Sequence, residues 1–295
     1  MKILVAGSTG QVARALARRG AEAGQTVVLL GRDAWSITDH TSVSAVLEAE
    51  APDLVVNAAA YTAVDAAEDD LAGAYELNAA APAVLARACA AAAVPFVHFS
   101  TDYVFSGDKG APYVETDPTA PLGVYGRSKL AGEDEVRAAG GRNLILRTAW
   151  VYDGEGRNFL RTMLRLSKDR QEIGVVDDQR GAPTFADDIA DVTLALGFRF
   201  RDGASLPPTL HLTNAGEATW WTFACAIMEE AQARGFPNAR IKPITTAEYP
   251  TKARRPADSR LSGEALAASL GREMPHWRAA LTACFDRVGS RIAAF

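Results

Sequence analysis

Lys2-Ile3-Leu4-Val5-Ala6-Gly7-Ser8-Thr9-Gly10-Gln11-Val12-Ala13 opens the chain, and its reading decides the fold. Ile3 to Ala6 are apolar without a break, as in a strand covered on both faces. The run passes directly into a glycine turn, and a helical pattern follows through Ala21. Strand, glycine turn and helix in that order form the context a dinucleotide site needs. Gly7 permits the tight turn, Gly10 lets the backbone approach a pyrophosphate, and the small Ala13 lets the helix pack close to the strand. The phosphates would rest on the N–H groups at the helix start, around Gln11 and Val12. A glycine-rich turn that holds no ligand is the plainer alternative.

Working outward, short β-rich runs recur at Lys2 to Ala6, Thr26 to Leu30, Asp53 to Asn57, Pro95 to Ser100 and Asn143 to Arg147, with helical patterns between them. Such alternation predicts an α/β chain built on a Rossmann-type, doubly wound parallel sheet. After Trp150 the alternation loosens. Asn158 to Leu166, Asp187 to Phe198, Thr219 to Ala233 and Pro275 to Val288 read as helices between loops rich in Pro, Gly and charge. Residues 1–150 therefore read as the dinucleotide-binding domain and 151–295 as a smaller C-terminal substrate lobe. Roughly 187–213 looks like a helix then a strand that returns to the first domain.

Composition narrows the function classes. The 31 basic and 36 acidic residues among 295 leave a net charge of -5, too acidic to grip nucleic acid or an anionic membrane. The apolar stretch Ala79 to Val97 is broken by Pro82, Arg87 and Pro95, so it reads as a core helix feeding a strand. Cys89, Cys225 and Cys284 are odd in number and lack metal spacing, which predicts reduced thiols and a cytoplasmic protein. The four histidines, His40, His98, His211 and His276, have no ligand spacing either.

Chemistry concentrates in Tyr125-Gly126-Arg127-Ser128-Lys129 and in Thr101, which closes the fourth β-rich run. Tyr125 and Lys129 stand four apart and share one helix face. A nearby ammonium favours the phenolate and lowers a phenol's pKa, which fits Tyr125 to donate a proton to a carbonyl oxygen as a hydride arrives. The Thr101 hydroxyl would bond the oxygen that carries developing charge. A helix carrying Tyr and Lys by chance is the bland alternative. At the end of the second β-rich run stands Gly31-Arg32-Asp33. An Arg there accommodates a 2′-phosphate and leans the site to NADPH, while Asp33 leaves NADH open.

These blocks carry a family resemblance. The chain resembles the dTDP-4-dehydrorhamnose reductases of the extended short-chain dehydrogenase/reductase superfamily. The resemblance rests on Gly7 to Val12, Val56 to Asp65, His98 to Phe105, Tyr125 to Lys129, Arg147 to Tyr152, Asp178 to Thr184 and Arg255 to Leu261, in order along most of the chain. It implies NAD(P)H-dependent reduction of the 4-keto group of a dTDP-linked 6-deoxysugar, with Thr101, Tyr125 and Lys129 as the catalytic trio. It also implies that Lys129 bonds the nicotinamide ribose. Thr101, Asp102, Tyr125 and Trp150 would meet the sugar; Ile37, Ala60, Tyr61 and Thr62 would line the cofactor. Similar 4,6-dehydratases place an acidic pair after the Thr, whereas Asp102 is followed here by Tyr103, which favours simple reduction.

The chain departs from the resemblance at Ser36, where related reductases often carry an Asp near the adenine. Some members bridge subunits through a metal held partly by an acid on the first helix. Here that helix shows Ala13, Ala15 and Ala17 among Arg14, Arg18 and Arg19, so no metal site is expected, and a homodimer is left open. Two further readings stand beside the reductase. One is a non-catalytic, cofactor-bound regulatory subunit, since the regulatory subunit of methionine adenosyltransferase resembles the same family. The other is a plain nucleotide-binding scaffold.

Overall fold

β1 (Lys2–Ala6) is an inner strand, and its alternating side chains feed two cores at once. Ile3 and Val5 enter one hydrophobic cluster, and Leu4 and Ala6 enter another on the opposite face. In this computed structural model, which describes residues 1–289, α1 (Gln11–Glu22), β2 (Thr26–Leu30), α2 (His40–Glu50) and β3 (Leu54–Asn57) follow. Two short helices, α3 (Val64–Ala67) and α4 (Leu71–Tyr75), lead through one π-helical turn at Glu76–Ala80 into α5 (Ala81–Ala91). Then come β4 (Phe96–Thr101), α6 (Val124–Ala138) and β5 (Asn143–Thr148).

The second half is more broken. It runs β6 (Val151–Tyr152), α7 (Phe159–Leu166), β7 (Glu172–Val176), β8 (Arg180–Gly181), β9 (Thr184–Phe185), α8 (Ala186–Arg201) and β10 (Thr209–His211). β11 (Ala218–Thr219), α9 (Trp220–Ala233), β12 (Arg240–Ile244), α10 (Glu264–Leu270) and α11 (Trp277–Val288) complete it.

The main sheet has six strands in the order β10-β5-β4-β3-β1-β2, and every pairing in it is parallel. The chain starts beside the middle, winds outward to β2, then reverses through β3, β4 and β5. That reversal puts a switch point between β1 and β3, where such sheets open a crevice at their carboxyl ends. Ala13, Ala15 and Leu16 of α1 and Ile189, Ala190 and Val192 of α8 cover one face. Val43 and Leu47 of α2, Leu85 of α5 and Val136 of α6 cover the other. The fold is therefore a Rossmann-type α/β sheet wound on both faces.

A second core lies outside the sheet. Tyr152, Leu160, Met163, Phe185, Phe223, Trp277, Leu281 and Phe285 join α7, α9 and α11 around it. β12 pairs in parallel with β7 at its rim. This pair escaped the sequence reading because β12 reads Arg-Ile-Lys-Pro-Ile, with a proline and two charges that suggest a loop.

Candidate functional site

The glycine turn, the segment after β3, and the carboxyl ends of β4 and β5 enclose a cleft of ≈ 620 Å³. Gly10, Gln11, Val12, Ala60, Thr62, Tyr125 and Lys129 line it, so seven residues predicted from the sequence meet in one place. Gly7 shapes the turn with φ +111°, and a Cβ there would stand 3.3 Å from the Ala59 nitrogen. α1 begins with Gly10 as its N-cap, without a side-chain cap and without an acid in its first turn. Its leading N–H groups are thus left for an outside anion. Asn78, in the π-helical turn, fixes the Ala60-Tyr61-Thr62 segment. Its Oδ1 accepts from the Tyr61 nitrogen at 2.8 Å, and its Nδ2 donates to the Tyr61 carbonyl at 3.1 Å and to Ser128 Oγ at 3.0 Å. Arg32 is exposed past the end of β2, and Ile37 is half-buried against the α2-side core; neither lines the cleft.

α6 carries Tyr125, Lys129, Glu133 and Arg137 four apart, on one face. Glu68 accepts from the Val124 nitrogen at 2.7 Å, placing an acid at the positive end of that helix. Lys129 is buried and donates from Nζ to the Phe99 carbonyl at 2.6 Å. Burial pushes its ammonium down to about 8, although Glu133 pulls the other way. Tyr125 moves opposite to the sequence expectation: burial pushes its phenol up to about 12, against a lowering hydrogen bond from Thr101. The physical reason is that Lys129 points its ammonium at the Phe99 carbonyl, so burial dominates. The phenol consequently keeps its proton through the neutral range.

Thr101 Oγ1 donates to Asp102 Oδ1 at 2.9 Å and accepts from the Tyr103 nitrogen at 3.2 Å. Asp102 is only 2% exposed. Burial pushes its carboxyl up to about 6, while bonds from Ser259 and Thr101 pull it down. Thr101, Asp102 and Tyr125 therefore stand together, with Ser259 as a neighbour that sequence reasoning missed. Trp150 is placed differently: it takes φ +45° and stacks on Trp220, ring centroids 3.6 Å apart and 9° from parallel. It packs against the second core and does not line the cleft that holds Tyr125 and Lys129.

Sequence reasoning also missed Arg14, Gly156 and Arg157 as lining of the cleft. The only signal for them was their proximity in sequence to the glycine turn and to Tyr152. A second cavity of ≈ 640 Å³ lies beside the second core. Phe159, Trp220 and Tyr249 supply rings there, and Arg170, Lys252 and Arg255 supply charge.

Comparison with known proteins gives a consistent result. The family described as RmlD substrate binding domain matches residues 1–290. A dTDP-4-dehydrorhamnose reductase of Burkholderia thailandensis is 51% identical over 294 residues, covering 96% of this chain and 98% of that protein. The enzyme of the same name from Escherichia coli is 41% identical over 286 residues, covering 94% and 95%. A crystal structure of dTDP-4-dehydrorhamnose reductase from Bacillus anthracis, in complex with NADP, superposes with a TM-score of 0.90 at 32% identity, covering 97% and 99%.

Proposed function

Because the chain belongs to the dTDP-4-dehydrorhamnose reductase family, we propose that it reduces the 4-keto group of dTDP-4-dehydro-L-rhamnose to the hydroxyl of dTDP-L-rhamnose. NADPH is the preferred cofactor and NADH the alternative. One observation carries the reading: Tyr125 and Lys129 line the same cleft as the glycine turn and the uncapped start of α1. The residues present fit a dinucleotide. The turn leaves room for backbone approach, and the buried Thr148 hydroxyl lines the cleft without a hydrogen-bond partner among the described residues.

When bound, the reduced nicotinamide supplies the hydride for the keto carbon. The chain supplies the rest. Gln11 and Val12 present N–H groups to the pyrophosphate, and Ala60, Tyr61 and Thr62 form a wall held by Asn78. Arg32 stands where a 2′-phosphate would be recognised. Tyr125, protonated at neutral pH, delivers its proton to the keto oxygen, and an alkoxide is a stronger base than a phenolate, so the transfer runs downhill. Lys129 holds the ribose. Thr101 reaches the oxyanion by exchanging its bond to Asp102 for one to the substrate, a one-for-one exchange of low cost. Asp102 meets the sugar beside it. The nucleoside diphosphate suits the second cavity, where rings can stack on the base and cations can face the phosphates. Trp150 acts there through its stack on Trp220.

In this reading, residues 1–150 with 187–213 form the dinucleotide-binding domain, supported by β10 pairing with β5. The remainder after residue 150 forms the substrate lobe; its last residues, 290–295, lie outside the described residues. The enzyme is cytoplasmic, in keeping with three free cysteines. The test is turnover by the purified protein, following NADPH oxidation and the appearance of dTDP-L-rhamnose. Cofactor binding without turnover on any dTDP or UDP 4-keto sugar would refute the reductase.

A further inference from the structure

Resting on the dinucleotide reading of the cleft, we propose that Arg157 is the cation that closes over the cofactor's pyrophosphate, from a loop latched against the glycine turn. The loop runs from Asp153 to Asn158, between β6 and α7, and belongs to the half of the chain that follows the sheet's first five strands. Three polar side chains tie it to the start of α1. Gln11 Nε2 donates to the Val151 carbonyl at 3.2 Å, and Asn158 Nδ2 donates to Gln11 Oε1 at 2.8 Å. Arg14 bridges the two sides, bonding the Thr9 carbonyl of the turn and the Glu155 carbonyl of the loop at 3.4 Å. Gly156 lets that guanidinium lie close: a Cβ there would stand 2.6 Å from Arg14 Nη2.

The latch leaves the two arginines in different states. Arg14 is committed to backbone carbonyls on both sides. Arg157 is exposed, lines the same cleft as Gly10, Gln11 and Val12, and makes no hydrogen bond or ion pair with another described residue. A free guanidinium that shares a cleft with the positive end of a helix is electrostatically unfavourable, and an anion bound by both removes the conflict. An orphaned hydroxyl in the same cleft, Thr148 Oγ1, more than nine-tenths buried, shows independently that the cleft is built for a polar ligand. Within a dinucleotide, the group that meets the glycine turn is the pyrophosphate, so that is the anion in reach of Arg157. Arg32, past β2, is left for the adenosine end.

The experiment is a fluorescence titration of NADPH and of NADH into the wild-type protein, Arg157→Ala and Arg157→Lys, with a thermal melt of each to confirm the fold. Arg157→Ala should weaken NADPH and NADH by the same factor, about three- to tenfold for a solvent-accessible charge-assisted contact. Arg157→Lys should recover part of the loss, because the charge remains and the planar fork does not. A loss confined to NADPH would move Arg157 to the 2′-phosphate and overturn the assignment. Unchanged affinity for both would make Arg157 a solvated surface residue and overturn it equally. A wild-type protein that binds neither dinucleotide would remove the cleft reading itself, a failure separable from that of Arg157.

Discussion

Tyr125 is where the chemistry and the electrostatics of the site meet. Its phenol is pushed up to about 12 by burial, and in the proposed mechanism it holds the proton that reduction consumes. Tyr125→Phe removes one hydroxyl and should lower kcat by at least about two orders of magnitude while leaving NADPH affinity nearly unchanged. Steady-state turnover beside a cofactor titration checks this, and a variant that retains near wild-type turnover would place the proton donor elsewhere. Lys129 adds a pH signature. Its folded value of about 8 lies below the ordinary 10.5, so between those values the unfolded chain keeps a proton that the folded chain has released. Stability should therefore rise with pH from about 8 to 10.5 and show no such dependence below 8. Function should run the other way: kcat/KM should fall as pH rises through about 8, and Lys129→Met should erase that limb. Arg32→Ala should weaken NADPH far more than NADH, and equal losses would show that the 2′-phosphate is read elsewhere. The meeting of Tyr125 and Lys129 in one cleft was legible in the sequence because they lie one helical turn apart. The direction of the phenol's shift was not, because burial and the Phe99 carbonyl come from β4, which the spacing of α6 cannot report.

At the scale of elements, α6 must be held hard against its neighbours for those side chains to be useful. A Cβ on Gly132 would stand 2.0 Å from the Asn78 carbonyl oxygen, so helix and π-helical turn meet backbone to backbone. Behind the helix, Arg147 of β5 grips Glu133 in two bonds, Nε to Oε1 at 2.8 Å and Nη2 to Oε2 at 2.7 Å. Both residues are buried. Burial pushes the Glu133 carboxyl up, yet the Arg147 bonds outweigh it and hold the group below its ordinary range. Arg147→Met leaves the buried Glu133 carboxylate with only the half-exposed Arg137, 2.6 Å away, as its cation and should cost about 3 kcal/mol of stability, whereas replacing Arg147 and Glu133 together should cost markedly less. Chemical denaturation of both variants decides it; equal losses would mean that the pair acts only by filling space. The strands were readable because sheet strands covered on both faces form continuous apolar runs. The stack of Trp150 on Trp220 was not legible, because one aromatic suits a sugar face and a core equally and its partner lies 70 positions away in the sequence.

Across the whole molecule, the cleft with Tyr125 and Lys129 sits at the end of the sheet, while the second cavity leans on the other core. The segment 249–262 joins them. Its Asp258 nitrogen bonds the Gly107 carbonyl at 3.1 Å, its Ser259 nitrogen bonds the Arg180 carbonyl at 2.9 Å, and its Arg260 carbonyl accepts from Tyr113 at 2.7 Å. Arg255 anchors it to α3 through two bonds to Asp65, 3.0 and 2.7 Å long. The Arg255 guanidinium, first through that hydrogen bond, holds the Asp65 carboxyl below its ordinary range. Both residues line the second cavity and neither lines the cofactor cleft. If the cavity takes the nucleoside diphosphate, cutting this tie should loosen the nucleotide without touching the dinucleotide. Arg255→Ala should raise KM for the sugar nucleotide by about three- to tenfold, with NADPH affinity unchanged, because a partly exposed pair contributes modestly. Asp65→Ala should raise KM in the same direction, and the double variant should add less than the product of the two, since each change breaks the same pair. Independent, multiplying effects would mean that Asp65 and Arg255 act on the substrate separately. A fall in NADPH affinity would mean that the segment shapes the cofactor cleft as well, and the division of labour between the two cores would fail with it.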